Sequence, residues 1–202
     1  MNISVLLFFN KNRGFLGEAL KSYKHQDFKG KHELVIQHKD QGVSANINEG
    51  VLKCKGEWIK FLGEDDLMLP NCLTYLWEGR NDFDILTANA INFYPDGTEI
   101  IIRSTLPKCL NDIVLTYGIH GGGTMYKKQV LIDNPFDETL WTCEEWELNC
   151  RLFQKGYKFG YIDKTVYKYR IHDEMKSGQN GASSEFRLKR MLVKEEIKAK
   201  FL

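Results

Sequence analysis

The chain has 202 residues, of which 43% are hydrophobic, and its formal net charge at pH 7 is +1. This is enough apolar sequence for one well-buried core but short for two domains, and a charge so close to zero gives no indication of a polyanionic partner. The five cysteines are odd in number and form no Cys-x-x-Cys pair, which argues against both a disulfide framework and a zinc site.

Membrane-spanning and secretory segments are not apparent in the sequence. It contains no apolar run of about 18 residues, the length that a membrane-spanning helix needs. The first residues also lack the basic segment and apolar stretch of a signal peptide. We therefore expect a soluble protein of the cytoplasm.

The first part of the chain alternates between two kinds of pattern. Residues 3–9, 34–36 and 58–62 are short apolar runs, typical of parallel strands that are buried on both faces. Apolar residues recur at helical spacing in residues 15–23 and again in residues 47–54. Strands that alternate with helices in this way predict an α/β fold with a parallel sheet.

An acidic run follows the third predicted strand. Glu64, Asp65 and Asp66 are consecutive, and Pro70 fits the first turn of a helix whose apolar face is formed by Leu73, Leu76 and Trp77. Adjacent carboxylates repel one another, so such a cluster is favoured where a cation or a solvated edge offsets the cost. In open α/β sheets, ligands bind at the carboxyl ends of the strands. The run therefore indicates a ligand site, with a solvated acidic turn as the alternative.

The next segment predicts antiparallel strands and a helix. Residues 84–88 should form a strand, and residues 91–93 and 100–102 should form a hairpin. The turn of this hairpin is expected at residues 95–97, which read Pro-Asp-Gly. A helix is predicted for residues 110–117.

Three glycines, residues 121–123, precede a predicted strand at residues 124–126. They allow a close approach of the backbone to a neighbour or a ligand, although loop flexibility explains them equally well. A helix is predicted for residues 144–155, with Gly156 as its C-cap. Ser, Gly and Asn are frequent in residues 177–184, which indicates a loop or hinge. An amphipathic C-terminal helix should follow, with its apolar face formed by Phe186, Val193, Ile197 and Phe201.

Five pieces of this sequence, taken in order, resemble the nucleotide-sugar glycosyltransferases of family 2. They are the opening strand with Asn10, residues 33–36, the run Gly-Val-Ser-Ala-Asn-Ile-Asn-Glu-Gly at 42–50, the run Gly-Glu-Trp-Ile-Lys-Phe-Leu-Gly-Glu-Asp-Asp at 56–66, and a set of short matches from Gly122 to the Tyr-Arg-Ile-His at 169–172. Members typically read Gly-Glu-(Tyr/Trp)-Ile-x-Phe-Leu-Asp-x-Asp-Asp-x-x-x-Pro at the fourth piece. Order and spacing together carry the resemblance to about residue 177.

The resemblance implies a GT-A fold, a single Rossmann-like domain whose mixed, mostly parallel central sheet is flanked by helices. Residues 1–177 would form this domain. Its donor half would comprise about residues 1–90, and its acceptor half about residues 91–177. Residues 178–202 would form the hinge and the C-terminal helix.

In function, the resemblance implies inverting transfer of a sugar, most simply from a uridine diphosphate sugar, to an acceptor hydroxyl. Such a single displacement uses a carboxylate base. By position in the motifs the base is Glu145, with Glu144 as the competing candidate. A divalent cation, Mn²⁺ or Mg²⁺, would offset the charge of the departing diphosphate. Its predicted protein ligands are Asp65 and His172, while Asp66 is left as a further ligand, a helix cap or a support for the loop.

The resemblance assigns donor contacts to Phe9, Asn10, Asp40, Asn48, Glu64 and Arg170. Gly63 departs from the pattern, since the family has its first aspartate there, and Glu64 is expected to take over the contact to the sugar nucleotide. The second strand runs almost directly into Gly42 without the usual acidic run, which leaves Asp40 as the candidate for the nucleobase. Arg170 and Lys176 would neutralise phosphate oxygens, and residues 177–184 would close over the donor.

Acceptor contacts are expected from His120, Trp141 and Trp146. The acceptor classes in question are a glycan, a small molecule and a hydroxymethylated base in DNA. Two other functions remain open from the sequence. One is a noncatalytic module that binds sugar nucleotides, and the other is a nucleotidyltransferase, for which residues 10–14 would be the triphosphate loop.

Overall fold

The computed structural model describes residues 1–116, 118–174 and 183–202. Lys176 and most of the proposed closing segment at residues 177–184 lie outside these ranges. In the described ranges, none of the helices is long and apolar enough to cross a membrane.

The helices and strands alternate along the chain largely as the sequence predicts. In chain order they are β1 (Ile3–Phe9), α1 (Leu16–Lys24), β2 (His32–His38), α2 (Val43–Lys53), β3 (Trp58–Gly63), β4 (Leu67–Met68), α3 (Cys72–Gly79), β5 (Ile85–Phe93), β6 (Glu99–Ile102), α4 (Leu110–Thr116), β7 (Thr124–Lys127), α5 (Lys128–Asp133), α6 (Glu144–Gln154), β8 (Phe159–Arg170) and α7 (Ser184–Phe201). A short 3-10 turn at Gly121–Gly123, called the glycine turn below, precedes β7.

All the strands join one sheet in the order β2-β1-β3-β7-β5-β8-β4, with β6 paired to β5. From the pairings, β1, β2, β3, β5 and β8 run in one direction, and β4, β6 and β7 run in the other. The prediction of a mixed, mostly parallel sheet flanked by helices is therefore confirmed. Phe8 pairs with Gly63 across β1 and β3. The chain leaves these two parallel strands at the same edge of the sheet, which is where the acidic run lies.

Strands β1 and β3 are buried on both faces, as their continuous apolar sequences predict. Alternate side chains point to opposite faces of a strand. Leu7 and Leu62 accordingly pack with the cluster that contains α3, while Leu6 and Ile59 pack with the cluster that contains α2, α5 and α6. Two layers of helix thus fix the strands whose ends carry the acids.

The C-terminal helix α7 docks on α4 and α6 through Ile197 and Phe201, which are buried with Ile113 and Trp146 in a third cluster. Trp146 is only 8% exposed, and its Nε1–H donates to the carbonyl oxygen of Ile113 at 2.9 Å. The acceptor contact predicted for Trp146 does not fit this placement, because both its ring and its polar atom are used inside the protein.

Some elements differ from their predicted form. Residues 84–88 and 91–93 belong to the single strand β5, and β8 was not predicted from the sequence. Polar residues interrupt β8, and its burial pattern is mixed, so it lacks both the continuous apolar run and the alternation that indicate strands. Helix α3 begins at Cys72 after the N-cap Asn71, so Pro70 precedes the helix. Gly156 follows α6 with φ +80°, as a glycine C-cap requires.

Candidate active site

A cavity of about 270 Å³ opens at the edge of the sheet where β1 and β3 end. Its walls come from the ends of these strands, from α2, from the glycine turn, from the first turn of α6 and from β8. Of the predicted site residues, it brings together Phe9, Asn10, Glu64, Asp65 and Glu145. Acidic side chains from two segments that are far apart in the sequence therefore line one concave site.

The first acidic wall is the turn Gly63–Asp66, called the acid turn below. Asp66 is its buried anchor, since Oδ2 accepts from the Tyr167 hydroxyl at 2.9 Å and Oδ1 accepts from the Arg170 backbone N–H at 2.9 Å. The Tyr167 oxygen in turn accepts from the Gly63 N–H at 3.1 Å. Burial, followed by the charge of Asp65, raises the pKa of Asp66. Three roles were predicted for Asp66: a further metal ligand, a helix cap and a support for the loop. These hydrogen bonds fit the support for the loop.

Asp65 lies next to Asp66 but is more exposed, at 25% of its side chain. Its Oδ2 is 3.1 Å from Nε2 of His172, and its backbone carbonyl accepts from Nε of Arg170 at 2.8 Å. In the described ranges, no group of three or more His, Cys, Asp or Glu side chains could hold a metal ion. A carboxylate oxygen and an imidazole nitrogen this close can both contact one Mn²⁺ or Mg²⁺, provided that a ligand such as a diphosphate supplies the other oxygens.

Glu64 is almost fully buried at the cavity wall, with 2% of its side chain exposed. Its Oε1 accepts from the Arg13 backbone N–H at 2.9 Å and lies 3.3 Å from Nη1 of the same residue. Its Oε2 is buried and has no hydrogen-bond partner within the described residues. A buried carboxylate oxygen without a donor is costly, so a ligand hydroxyl at this position would satisfy it.

Gly63 explains how the chain departs from the family pattern at the start of the acid turn. A Cβ atom at this position would lie 2.8 Å from Oδ1 of Asp65 and 3.0 Å from Oδ2 of Asp66. In this conformation the two aspartates occupy the space that a side chain at residue 63 needs. The positions of the Asp65 and Asp66 carboxylates therefore favour a glycine at residue 63. Glu64 supplies the additional carboxylate of the turn.

A second wall carries Glu145 in the first turn of α6. Its Oε1 accepts from the Tyr126 hydroxyl at 2.8 Å, and Tyr126 also lies 3.0 Å from Oδ1 of Asn149. A Cβ atom at Gly121 would lie only 1.5 Å from Oε2 of Glu145, so the glycine turn leaves just enough room for the carboxylate. Burial raises the pKa of Glu145, and the hydrogen bond from Tyr126 lowers it in part.

Glu144 also lines the cavity, so the structure leaves both predicted candidates for the base beside it. The residue before them, Cys143, is the N-cap of α6 and has φ +63°. Among the described residues it is the non-glycine residue with positive φ. A left-handed conformation at a non-glycine residue costs energy and is often found where a functional segment needs a sharp change of direction.

The aromatic end of β1 forms the floor near the predicted nucleobase position. The Phe9 ring stacks on His38, with centroids 4.3 Å apart and planes inclined by 11°. Phe8 packs edge to face against Phe61 at 6.0 Å. Phe9 and Asn10 both line the cavity, as the resemblance implies, and Phe8 lines it as well while packing against the cluster that contains α2.

Three predicted donor contacts, Asp40, Asn48 and Arg170, lie away from the cavity lining. Asp40 is exposed in the turn after β2. The Asn48 amide donates to the Phe136 carbonyl at 2.9 Å and accepts from the Phe136 N–H at 2.9 Å, which ties α2 to the segment before α6. Asn48 therefore uses its polar atoms to join two parts of the protein, and the predicted donor role does not fit.

Arg170 is also committed to the protein. Its Nε donates to Asp65, its Nη2 lies 2.8 Å from Oε2 of Glu18, and its guanidinium lies over the rings of Phe15 and Phe93 at 4.2 and 4.6 Å. Through its bond to the Asp65 carbonyl, the Arg170 side chain supports the acid turn. A direct phosphate contact, as predicted, would require the guanidinium to leave these contacts.

The other predicted acceptor residues, His120 and Trp141, lie outside the cavity lining. His120 precedes the glycine turn, and its ring packs edge to face on Tyr169 at 5.5 Å. Burial lowers the pKa of His120 to about 4, so the ring is neutral at neutral pH. Trp141 is 37% exposed and contacts Phe186 of α7 edge to face at 5.2 Å.

Sequence reasoning missed three side chains of the cavity, namely Arg13, Tyr167 and Tyr169. Arg13 follows β1 within the segment 10–14, so the rule that loops after parallel strands meet at one edge could have indicated it. The two tyrosines belong to β8, whose position in the sheet was not predicted. Tertiary pairing brings them to the acid turn, since β8 pairs with β5 and also with β4, where Tyr167 lies opposite Met68.

Comparisons with known proteins agree with this architecture. The sequence model described as Glycosyl transferase family 2 matches residues 15–133. The chain is 25% identical over 176 residues to the Methanocaldococcus jannaschii protein named "Uncharacterized glycosyltransferase MJ1057", a match that spans 83% of this chain and 59% of the relative. It is 26% identical over 160 residues to the Bacillus subtilis minor teichoic acid biosynthesis protein GgaB, a match that spans 71% of this chain and 17% of that protein.

Solved structures of S. aureus TarS share the fold. The crystal structure of TarS 1-349 in complex with UDP superposes with a TM-score of 0.65 at 18% identity, covering 100% of this chain and 70% of that chain. The complex with UDP-GlcNAc gives 0.65 at 16% identity, covering 100% of this chain and 71% of that chain. At this identity the likeness bears on the fold alone, and it confirms the GT-A architecture.

Proposed function

This chain belongs to glycosyl transferase family 2, and from that membership and the cavity we propose that it transfers a sugar from a nucleotide diphosphate donor to an acceptor hydroxyl. The observation that carries the proposal is that one cavity is lined both by the acid turn and by Glu145, which come from separate parts of the chain. A single displacement needs two such groups, because the diphosphate leaves on one side of the sugar while the acceptor attacks from the other.

We propose a uridine diphosphate sugar as the donor. Support comes from the complexes of TarS with UDP and UDP-GlcNAc. In this chain, the Phe9 ring and Asn10 are available to a nucleobase beside β1, and the unpartnered Oε2 of Glu64 is available to a donor hydroxyl. Arg13 fixes the other oxygen of Glu64, so the free oxygen is oriented before the donor binds.

Asp65 and His172 are the residues that would hold Mn²⁺ or Mg²⁺. When bound, the ion would supply positive charge that offsets the charge developing on the departing diphosphate. The rest of the acid turn orients Asp65. Asp66 is fixed by Tyr167 and by the Arg170 backbone, and the Arg170 side chain holds the Asp65 carbonyl. The proposed ligand is thus placed before any ion binds.

Glu145 is proposed as the base of an inverting displacement. The acceptor oxygen forms a bond to the anomeric carbon while the bond from that carbon to the phosphate oxygen breaks, and the nucleoside diphosphate leaves with the bonding electrons. The acceptor proton passes to Glu145. Because burial raises the pKa of this carboxyl, it is a stronger proton acceptor than an exposed glutamate once it is ionised.

A donor panel tests the proposal. The melting temperature would be measured with UDP, UDP-GlcNAc, GDP and GDP-mannose, each with and without Mn²⁺, since a ligand stabilises in proportion to the logarithm of its concentration over its dissociation constant. We expect uridine nucleotides to stabilise more in the presence of Mn²⁺, and Asp65→Asn to remove the part that depends on the metal. Asp163→Asn, which changes an exposed aspartate on β8, is the matched control.

Product analysis separates the proposal from the other functions. Incubation of the stabilising donor with Mn²⁺ should release the nucleoside diphosphate, by transfer or by slow hydrolysis. Binding without any release would favour a noncatalytic module, and release of pyrophosphate would favour a nucleotidyltransferase. If no sugar nucleotide raises the melting temperature, the proposed donor class is wrong.

A further inference from the structure

A fully buried lysine contacts three residues that line the cavity. Lys60 is in the middle of β3 and is 0% exposed. Its Nζ donates to the carbonyl oxygens of Phe61 and Gly122, each at 2.7 Å, and lies 4.4 Å from the centre of the Tyr167 ring. Among the described residues it forms no ion pair with a carboxylate. Burying an ammonium group is costly, so these contacts call for an explanation beyond packing.

The contacts of Lys60 join the two walls of the site. Gly122 is the middle of the glycine turn, and the neighbouring Gly121 is the residue whose Cβ would overlap the Glu145 carboxylate. Tyr167, whose ring lies beneath the ammonium, is the side chain that anchors Asp66. One buried amino group therefore holds the backbone against which Glu145 rests, and it also packs against the side chain that fixes the acid turn. Burial lowers the pKa of Lys60, and the charges of Glu145 and Asp66 are among those that oppose this shift.

We propose that Lys60 is a positioning residue, whose buried ammonium fixes the glycine turn against Glu145 and supplies the positive charge that keeps this carboxylate ionised. The inference rests on the proposed function in so far as Glu145 is the base. An uncharged hydrogen-bond donor would hold Gly122 in the same way. The effect of the Lys60 charge on Glu145 is therefore what distinguishes the proposed role from simple packing.

The other titratable groups around the site leave Lys60 as the cation for Glu145. The groups that face Lys60 are Glu145 from α6, Asp66 from the acid turn, Cys72 from α3 and His120 beside the glycine turn. Burial raises the pKa of Cys72 to about 11 and lowers that of His120 to about 4, so both are neutral at neutral pH.

Glu145 itself is faced by the Tyr126 hydroxyl and by Glu144 as well as by Lys60. Burial raises the pKa of Tyr126 well above its ordinary value, so it remains a neutral donor. The charge of Glu144 opposes ionisation of Glu145, and the charge of Lys60 favours it. Removal of the ammonium should therefore make Glu145 harder to ionise.

The test compares Lys60→Met, which removes both charge and donor, with Lys60→Gln, which removes the charge and retains a donor. Lys128→Met is the matched control, since Nζ of Lys128 also donates to a backbone carbonyl, that of Cys54, at 2.7 Å, and lies outside the cavity lining. Infrared difference spectra against Glu145→Gln identify the carboxyl band of Glu145 in each protein. This titration needs no substrate, so it remains informative if the proposed function fails.

We expect the titration of Glu145 to move upward by about one pH unit in both Lys60 variants and to stay unchanged in Lys128→Met, since an opposite charge nearby typically lowers a carboxyl pKa by about 1–3 units. If the donor panel supports UDP-GlcNAc, the acid limb of nucleotide release from it with Mn²⁺ should shift by the same amount. Folded Lys60 variants with an unchanged Glu145 titration would overturn the inference.

If neither Lys60 variant folds, the wild-type protein can be used to answer the same question. The ¹⁵Nζ resonance of Lys60 would then be followed as a function of pH in wild type and in Glu145→Gln. We expect the resonance to change with the ionisation of Glu145 in wild type and to lose that step in the variant. A resonance that is indifferent to Glu145 contradicts the inference.

Discussion

The acid turn and the wall that carries Glu145 are positioned by opposite means. In the acid turn, Asp66 is held by hydrogen bonds from side chain and backbone of β8, and Arg170 holds the neighbouring carbonyl. At the other wall, Glu145 has one hydrogen bond from a side chain, that of Tyr126, and otherwise rests against a glycine.

This difference predicts different sensitivities to mutation. A region held by hydrogen bonds weakens when a partner is removed, because buried polar atoms are then left unsatisfied. A region shaped by the absence of side chains weakens when atoms are added, because close-packed interiors have little room to accommodate them. The predictions below test this contrast, beginning with the carboxylate of Glu145.

Replacement of Glu145, the proposed base, should have the largest effect. Glu145→Gln keeps the size of the side chain and an oxygen that can accept from Tyr126, but it cannot take a proton from the acceptor. We expect the turnover rate to fall by about 10²- to 10⁴-fold, the usual contribution of a general base, while donor affinity stays close to that of wild type. Steady-state rates and the donor-induced shift in melting temperature measure the two quantities separately.

Glu144→Gln is the matched control for that variant, because it makes the same chemical change at the adjacent cavity residue. We expect it to lower turnover less than about tenfold, which corresponds to about 1.4 kcal/mol. A larger loss for Glu144→Gln than for Glu145→Gln would exchange the two assignments.

Addition of one methyl group to the glycine turn should have the next largest effect. The new Cβ of Gly121→Ala would lie 1.5 Å from Oε2 of Glu145, so the carboxylate must move. A displacement of about 1 Å at a catalytic group can cost about 10²-fold in rate, and we expect a turnover loss of that order.

Gly17→Ala provides the control for the added methyl group. Gly17 lies in α1, and a Cβ there meets nothing within 4 Å. Because alanine favours a helix more than glycine does, this variant should be stabilised by up to about 1 kcal/mol without loss of turnover. Equal activity of Gly121→Ala and Gly17→Ala would refute the idea that the glycine turn seats the base.

The acid turn should respond to removal of a partner. Tyr167→Phe deletes the hydroxyl that donates to Asp66 and accepts from the Gly63 N–H. We expect the free energy of unfolding to fall by about 1–3 kcal/mol, the usual cost of leaving a buried polar group unsatisfied. Chemical denaturation measures this loss, and the part of donor binding that depends on Mn²⁺ should weaken with it.

Tyr161→Phe makes the same chemical change on the same strand. The Tyr161 hydroxyl contacts Asn89 and the exposed Asp163, both at 3.0 Å, and lies outside the cavity lining. Its stability cost should be smaller than that of Tyr167→Phe, because water can replace the exposed Asp163 even though Asn89 is buried. If the two variants lose the same stability and both keep metal-dependent binding, Tyr167 does not support the acid turn specifically.

The pH dependence of stability gives a smaller effect at the same wall. Burial raises the pKa of Glu145 in the folded protein above its ordinary value of 4.5, so the folded state retains the proton to higher pH than the unfolded chain does. Stability therefore decreases as pH rises through the interval between these two pKa values. The Glu145→Gln variant has no ionisable group at this position, so its stability does not decrease for this reason as pH rises.

We accordingly expect the melting temperature of Glu145→Gln, relative to wild type, to increase from below pH 4.5 to neutral pH, with the gain complete above the folded-state pKa of Glu145. Thermal denaturation across this range measures the difference. A relative melting temperature that is independent of pH would mean that the carboxylate is not destabilised by burial, contrary to its place against the glycine turn.

The contrast between the walls also shows what the sequence could predict. The acids were recognised because they are adjacent in sequence and follow an apolar strand, so local pattern alone sets them at the edge of the sheet. Their support was not recognised, because the partners of Asp66 on β8 are 101 and 104 residues away. Contacts at that separation depend on the order of strands in the sheet, which propensity and periodicity do not specify.

The same reason accounts for two predicted site residues whose side chains the structure ties into the protein. Asn48 and Trp146 stand at suggestive places in the motifs, but Phe136 and Ile113 take up their polar atoms. The glycines at 121–123 were explained equally well by flexibility, since their fit against Glu145 exists only after α6 has packed on the sheet. A motif indicates where a side chain begins, whereas tertiary packing decides what it contacts.

The start of α6 combines both means of positioning and should give the smallest effect. Cys143 has φ +63°, and its side chain makes no capping hydrogen bond to the helix. Backbone strain at residue 143 therefore contributes to the orientation of Glu145. Cys143→Val should lose about 1–2 kcal/mol of stability, because a left-handed conformation is unfavourable for residues with a Cβ and worse when it is branched.

Cys143→Gly adopts this φ without strain but has a more flexible unfolded chain, so its free energy of unfolding should stay within about 0.5 kcal/mol of wild type. Chemical denaturation gives the order of the three proteins, and turnover should follow it, because any relaxation of residue 143 rotates the first turn of α6 away from the glycine turn. A valine variant as stable and as active as the glycine variant would show that the base is aimed by packing alone, without help from the backbone at residue 143.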